Sequence, residues 1–498
     1  MESNLFQVLR ERGAKYPSNV FLRDPERNPL SYSECFRMSG QYAAALKKCG
    51  VKEGDRVLVK VEKSIDAVAL YLACLQSGAV YVPSNPKNTV EETAYLFQDA
   101  EPSLVVFSHE NSQSVDARSE TLGRGHGSLT SLADSLQGTD EVTQRSGSDL
   151  AAMLYTSGTT GKPKGAMLTH RGLIANAIAL HDIWGFESED ILLHCLPIFH
   201  VHGLFVALHC AMLSASEVIF LNKFDPESII SNMSEATVMM GVPTHYVRLL
   251  GDSRFDHDLC AHMRLFTSGS APMSELVHEK FQMQTSHRIL ERYGMTEAGI
   301  ITSNPLKGER IPGTVGFPLP DMELRVAQDD RECDIDELGV VEVRGSHLFS
   351  GYWRQPEKTA AAFTKDGYLI TGDIGSLDKH GRVSLQGRSN DMIISGGENI
   401  YPKEVELYLE EIPNVNECVV VGLPHPDLGE AVTAFLIPDG DFSEIAVGEY
   451  FKSRIASYKQ PKKYILVDSL PRNAMGKIQR SKLRDEYSTL FFDADNHI

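Results

Sequence analysis

Short apolar runs alternate with amphipathic helical stretches through the first three-quarters of the chain. Arg56–Val61, Ala79–Val82, Leu104–Phe107, Ile191–Leu196, Glu217–Leu221 and Thr237–Gly241 are Val/Ile/Leu-rich runs of strand length. Their spacing, with helical patterns between them, predicts α/β layering around largely buried strands. The most apolar stretch, Ala67–Leu75, is about half the length needed to span a bilayer, so it predicts a buried helix and no transmembrane segment. Residues 108–148 are rich in Ser, Gly, Asp and Glu and read as a surface excursion. Beyond Tyr352 the texture changes to shorter strands, Tyr368–Asp373 and Val383–Gly387. Pro402 then opens an amphipathic helix over Lys403–Glu411, followed by Cys418–Val421, Ala431–Ile437, a helix near Ser443–Ile455, and Tyr464–Val467. Polar Ser389-Asn390-Asp391 separates two ordered runs. The expected organisation is a large multi-subdomain unit over residues 1–389 and a small α+β unit over 390–498.

Composition changes this picture in two places. With 498 residues, 42% hydrophobic and 23% charged, the chain is too long for one ordinary core and otherwise typical of globular proteins. A formal charge of −19 argues against a nucleic-acid surface and requires any anionic substrate to be drawn in by local positive charge. Eight scattered cysteines form neither a Cys-x-x-Cys pair nor a Cys/His set at metal-ligand spacing, which fits free thiols in a reducing compartment. Met1-Glu2-Ser3-Asn4 opens without an apolar leader, so the expected location is cytoplasmic. Nothing in the sequence fixes the oligomeric state.

The densest chemistry lies at Tyr155-Thr-Ser-Gly-Thr-Thr-Gly-Lys-Pro-Lys-Gly165, directly after the apolar run Ala151–Leu154. Glycines let a backbone approach a ligand, Ser and Thr add donors, and lysine supplies countercharge, so a polyphosphate is the expected guest. Gly158 and Gly161 are too close for a Walker A loop, and Lys162 precedes Pro163 rather than Ser or Thr. The loop resembles the phosphate-binding signature of the adenylate-forming superfamily, which contains acyl-CoA synthetases, luciferases and nonribosomal-peptide adenylation domains. Further strings match that superfamily in order: Phe199-His-Val-His-Gly203, Thr267-Ser-Gly-Ser-Ala-Pro272, Glu291-Arg-Tyr-Gly-Met-Thr-Glu297, Thr371-Gly-Asp373, Gly387-Arg388, Ser395-Gly-Gly-Glu-Asn399 and Pro471-Arg-Asn-Ala-Met-Gly-Lys477.

The resemblance implies a division of labour. Thr156, Ser157, Gly158, Thr159, Thr160, Gly161, Lys162, Pro163 and Lys164 would surround the β- and γ-phosphates of ATP. Ser268, Gly269, Ser270 and Ala271 would line the base, Tyr293 would stack on it, and Gly294, Met295 and Thr296 would complete the wall. Asp373 and Arg388 would hold the ribose hydroxyls. Glu297, with Thr156, would bind the Mg2+ that accompanies ATP. Lys477 would bridge the carboxylate and the α-phosphate as adenylation proceeds. A mobile C-terminal unit would then present Ser395, Gly396 and Gly397 as the channel for coenzyme A. Read singly, Tyr293 could be a core aromatic, Asp373 a turn acid and His200 a satisfied structural histidine. At the hinge Asn390 replaces the Asp or Lys of many relatives, and asparagine tolerates unusual backbone angles.

For the acid, Arg248 and Arg292 fall near the expected acyl pocket, where a fatty-acid enzyme would have an apolar tunnel. Arginine is the natural partner of a second carboxylate, whose unpaired burial would be costly. The strings around Arg292 and Phe199–Phe205 look like those of malonyl-CoA synthetases, with His200 closing the acyl end. The resemblance thus implies an ATP-dependent, AMP-forming ligase joining malonate to CoA. Methylmalonate, oxalate or a medium-chain acid, or a module loading a carrier protein, are its rivals.

Overall fold

Parallel strands covered on both faces need apolar side chains on both, and the short Val/Ile/Leu/Met runs supply them. The computed structural model describes residues 4–25, 28–109, 118–156, 163–329, 331–440, 442–452, 454–473 and 476–492. Within it, Ile191–His194, Val238–Gly241, Leu265–Ser268 and Leu290–Met295 lie side by side and parallel, with Val238 opposite Leu192, Met240 opposite Thr267 and Ser268 opposite Glu291. Their carboxyl ends open along one edge, where ligands of open α/β sheets bind. The loops carrying Phe199–Gly203, Val242–Arg248, Ser268–Ala271 and Thr296–Glu297 all leave from that edge.

From Leu290–Met295 the sheet continues in antiparallel fashion through Gly299–Ser303, Thr314–Pro318, Val383–Arg388 and Leu369–Leu377. A separate six-stranded sheet ends in the antiparallel arms Leu150–Thr156 and Lys164–Thr169, with Thr156 facing Lys164. Ser157, Gly158, Thr159, Thr160, Gly161 and Lys162, expected from the sequence to surround phosphates, lie outside the described residues.

Ile65–Gln76 is a helix buried along its whole length, as the Ala67–Leu75 run predicts. No helix among the described residues is long and apolar enough to cross a membrane. The polar stretch 108–148 is more ordered than expected, containing the strand Ser119–Leu122 and the helix Ser128–Asp134. Leu122, Leu129 and Ala133 anchor them in the core. Three apolar residues spread through a polar segment are too sparse to register as a periodic pattern.

The C-terminal residues form a five-stranded sheet built on Val415–His425 and Gly429–Pro438. Alternation places Val420, Val432 and Leu436 in a cluster with helices Pro402–Glu410 and Glu444–Lys452, while Val419, Val421 and Phe435 pack with Leu470 and Leu483 on the opposite face. The Ser389–Asp391 segment is a short 3-10 turn, and Asn390 adopts it without the left-handed φ that asparagine would tolerate.

Candidate active site

Tyr293 lies on the strand Leu290–Met295 and is buried; its hydroxyl donates to Asp373 Oδ2. Arg388 Nε reaches Asp373 Oδ1 at 2.8 Å, and the two residues are register partners across adjacent strands. The sequence ends its run at Asp373, whereas the ladder continues through it to Leu377. The difference arises at Gly372, whose φ of +72° turns the backbone while the Thr371 hydroxyl accepts from Asp373 N at 3.0 Å. Tyr293, Asp373 and Arg388 therefore form one hydrogen-bonded set. Gly294 permits the following turn, since a Cβ there would meet Gly299 O at 2.2 Å. Met295 and Thr296 are part-buried beside it.

Glu297, in the turn after this strand, has only 6% of its surface exposed. Its Oε1 accepts from the Tyr352 hydroxyl at 2.9 Å, and its carbonyl accepts from Phe349 N at 2.7 Å. Lys164 Nζ sits 4.2 Å above the Tyr352 ring, and the Pro163 carbonyl accepts from the Tyr95 hydroxyl. Tyr352 thus touches both the strand that opens at Lys164 and the turn that carries Glu297. Its place in Gly351-Tyr352-Trp353, after the last quoted string of the large unit's parallel sheet, gave no chemical signal in the sequence.

Lys477 belongs to the C-terminal residues but lies close to this set. Its backbone N–H donates to Asn473 Oδ1 at 3.0 Å, and the Gly476 carbonyl accepts from Arg472 at 2.7 Å. Gly476 has a φ of +73°, and a Cβ there would lie 2.6 Å from Thr244 Oγ1. The loop therefore rests on the first turn of the helix Pro243–Leu250. Burial lowers the Lys477 pKa and the Arg388 charge lowers it further, while Asp373 opposes both. Downstream, Arg480 pairs with the buried Glu406 at 2.7 Å, and Asp391 in the 3-10 turn pairs with Arg484 at 3.2 Å.

The two arginines differ. Arg248 is exposed on the last turn of Pro243–Leu250. Arg292 is 4% exposed, makes no ion pair among the described residues, and leaves Nε and Nη2 without hydrogen-bond partners. Its neighbour Glu291 points to the other side of the strand and pairs with His278 at 3.1 Å. The Arg292 guanidinium lies over Gly269, where a Cβ would be 2.5 Å from Nη1. Ser268 Oγ is also buried without a partner, Ser270 is left-handed at φ +68°, and Ala271 follows it part-exposed.

The Phe199–Gly203 string leads into a π-helical turn over His202–Leu208, a rare geometry that recurs at functional sites. His200 is partly exposed and packs its ring 4.5 Å from that of Phe199; burial pushes its pKa down to about 4. His202 is 3% exposed, 3.4 Å from Ser270 Oγ through Nδ1. Arg248 acts electrostatically on His245, and Arg292 on His202, so both arginines border the same group of imidazoles. Gly396 and Gly397 form a two-residue hairpin turn between Ile393–Ser395 and Glu398–Ile400, with φ of +60° and +87°, and Ser395 pairs across it with Glu398. That turn alone demands glycine or asparagine there.

Buried imidazoles also set the acid limit of stability. Burial lowers His170 to about 4 and His209 to about 3. Because these folded values lie below the unfolded value near 6.5, the unfolded chain takes up protons first as pH falls. Stability is therefore complete above about pH 6.5 and is lost toward pH 4, by about 2 kcal/mol for each such histidine at pH 5. A melting temperature that falls between pH 7 and pH 5 is the expected result, and His209→Phe should flatten the decline.

The sequence profile of AMP-binding enzymes matches residues 9–353, and that of the AMP-binding enzyme C-terminal domain matches residues 404–477. A probable CoA ligase of Humulus lupulus is 36% identical, covering 86% of this chain and 79% of its own. A malonate–CoA ligase of Arabidopsis thaliana is 34% identical over 94% of this chain and 82% of its own. The crystal structure of ATP-bound MatB from Rhodopseudomonas palustris superposes with a TM-score of 0.96 at 43% identity, covering 99% and 100% of the two chains. The apo form of that protein, at the same identity and coverage, gives 0.84. The Lys477 loop resting on Thr244 thus accompanies an overall arrangement nearer the ATP-bound form.

Proposed function

The chain belongs to the AMP-binding enzyme family, and on that premise we propose that it is an ATP-dependent, AMP-forming acid–CoA ligase whose acid is malonate. A carboxylate oxygen of malonate attacks the α-phosphorus of ATP. The new O–P bond forms as the bond to the β-phosphate oxygen breaks, and pyrophosphate leaves with that electron pair. The CoA sulfur, having lost its proton to solvent, then attacks the acyl carbonyl; the C–S bond forms as the acyl C–O bond to the phosphate breaks, and AMP departs with that electron pair.

In this reading Thr156 and Lys164, with the loop they flank, hold the phosphates. The Asp373–Arg388 pair receives the ribose, and Tyr293, pinned through its hydroxyl, keeps a fixed face toward adenine. Gly269 and its neighbours line the base. Lys477 places its ammonium where two anions meet, which is worth most in the transition state. Ser395, Gly396 and Gly397 are the proposed border of the CoA channel after the C-terminal unit has turned about Asn390; their hairpin leaves a slender guest close to the backbone.

The oxygen ligands of Glu297 and Thr156 suit Mg2+, a hard cation that would arrive with the substrate phosphates and take one protein carboxylate. Bound there, Mg2+ would offset phosphate charge. Glu297→Gln should raise the Mg2+ concentration for half-maximal turnover about tenfold or more, read from a metal titration at saturating ATP.

The observation that carries the malonate assignment is Arg292, a buried guanidinium without an anion. An unpaired buried charge costs several kcal/mol, and a substrate's second carboxylate removes that cost. Arg248 would add long-range attraction from the rim, and His200 would close the acyl end. The direct test is a panel of acids scored by pyrophosphate release. Malonate should exceed isovalerate, which replaces the distal carboxylate by an isopropyl group, and octanoate; a higher kcat/KM for octanoate would overturn the assignment. The free thiols of all eight cysteines favour a reducing compartment, and cytoplasm is the proposed location.

A further inference from the structure

Buried polar atoms find partners in native proteins, and each exception calls for a reason. Two exceptions adjoin one another here. Arg292 leaves Nε and Nη2 unpartnered, and His202 leaves Nε2 unpartnered. Consecutive residues of one loop carry them: the guanidinium lies over Gly269, and the imidazole reaches Ser270. Neither side chain is exposed beyond 4%, so bulk solvent does not reach them. Other buried histidines divide into two kinds. His194 uses both ring nitrogens, on Lys63 and on the Gly203 carbonyl, and is fully engaged in the framework. His170, His209 and His278 each keep one unpartnered nitrogen, but His278 faces the Glu291 carboxylate and no unpaired cation is seen beside His170 or His209 among the described residues. Among the described residues, His202 alone combines an open nitrogen with an adjoining unpaired arginine.

We propose that His202 is a specificity-determining residue, donating through Nε2–H to the same distal carboxylate that Arg292 neutralises. The proposal rests on the dicarboxylate reading above. Its chemistry follows from the partner on the other nitrogen. The Ser270 hydroxyl, 3.4 Å from Nδ1, can donate to it, and in that tautomer the ring proton resides on Nε2, which makes that atom a donor and an anion its natural acceptor. Burial and the neighbouring Arg292 charge hold the ring neutral far below its ordinary range, so this donor persists at physiological pH. Geometry fixes the ring as well. His202 opens the π-helical turn, and Gly203 behind it is held so tightly that a Cβ would lie 2.2 Å from the Pro197 carbonyl. The imidazole therefore has little freedom to seek another partner. A cation supplies charge without direction, whereas a fixed N–H donor beside it favours a planar carboxylate over a bulky apolar group.

The test compares malonate with isovalerate in the wild type, His202→Phe and His202→Asn. Phenylalanine keeps a ring and removes the donor; asparagine restores an N–H donor on a shorter side chain. His202→Phe should lower kcat/KM for malonate about 10- to 100-fold, mainly through KM, the range expected for one lost hydrogen bond to a charged group. Turnover of isovalerate should stay within about threefold, which also reports that the variant is folded. His202→Asn should recover at least part of the malonate preference. Equal losses for both acids in both variants would assign His202 to the framework and overturn the proposal. Unchanged malonate kinetics in His202→Phe would overturn it too, while leaving the dicarboxylate reading intact. A wild-type enzyme without preference for malonate over isovalerate would remove that reading itself, and the role of His202 with it.

Discussion

Lys477→Ala is expected to slow malonyl-adenylate formation about 100- to 1000-fold while leaving the second half-reaction near the wild-type rate. The first number follows from removing a preorganised cation from the point where two anions combine. The second follows from the position of Lys477. It feels the charges of Asp373 and Arg388 while Gly476 packs against Thr244, and a rotated C-terminal unit would withdraw it. Pyrophosphate release with malonate and MgATP measures the first step. Supplying synthetic malonyl-adenylate and CoA and following AMP measures the second. Equal losses in both would mean that Lys477 supports the fold rather than adenylation. Glu406 and Asp391, through their arginine partners, already stabilise the helix that follows, so alanine at 477 should not unfold the unit.

Arg292→Met carries two opposite effects. Malonate kcat/KM should fall about 1000-fold, since the distal carboxylate would be buried against an apolar side chain. The unliganded protein should at the same time become more stable, by about 1–4 kcal/mol, because a desolvated guanidinium without an anion is replaced by a side chain of similar length that prefers the interior. Thermal melts with and without malonate read both. The wild type should gain melting temperature on adding malonate with an unreactive ATP analogue, and the variant should begin higher and gain little. A variant that melts lower than wild type without ligand would show that Arg292 is satisfied in the free protein.

Much of this architecture was legible because buried parallel strands announce themselves as unbroken apolar runs. Ile191–His194 and Val238–Gly241 fall within the runs Ile191–Leu196 and Thr237–Gly241, and Pro402 opens its helix where the sequence places it. What was hidden depended on contacts distant in sequence. Tyr352 meets Glu297 across 55 positions, and nothing local in Gly-Tyr-Trp marks it. Asp373 was found as chemistry, but its strand was ended there rather than at Leu377, because a left-handed glycine inside a strand reads as an end when it is a bend. His202 was quoted only as a letter in the Phe199–Gly203 string. Two histidines separated by one residue look equivalent until the backbone shows one at the rim and the other sealed beside Arg292. The arginines were likewise a pair in sequence; burial separates the exposed Arg248 from the desolvated Arg292.

The central claim is that malonate is activated as its adenylate in a site where Arg292 neutralises the far carboxylate. A single-turnover reaction with excess enzyme, radiolabelled malonate and MgATP, but no CoA, tests it most directly. The expected products are malonyl-adenylate and pyrophosphate in equal amounts from the wild type, and almost none from Arg292→Met under the same conditions. ADP and phosphate in place of AMP chemistry, or undiminished malonyl-adenylate from the variant, would contradict the account.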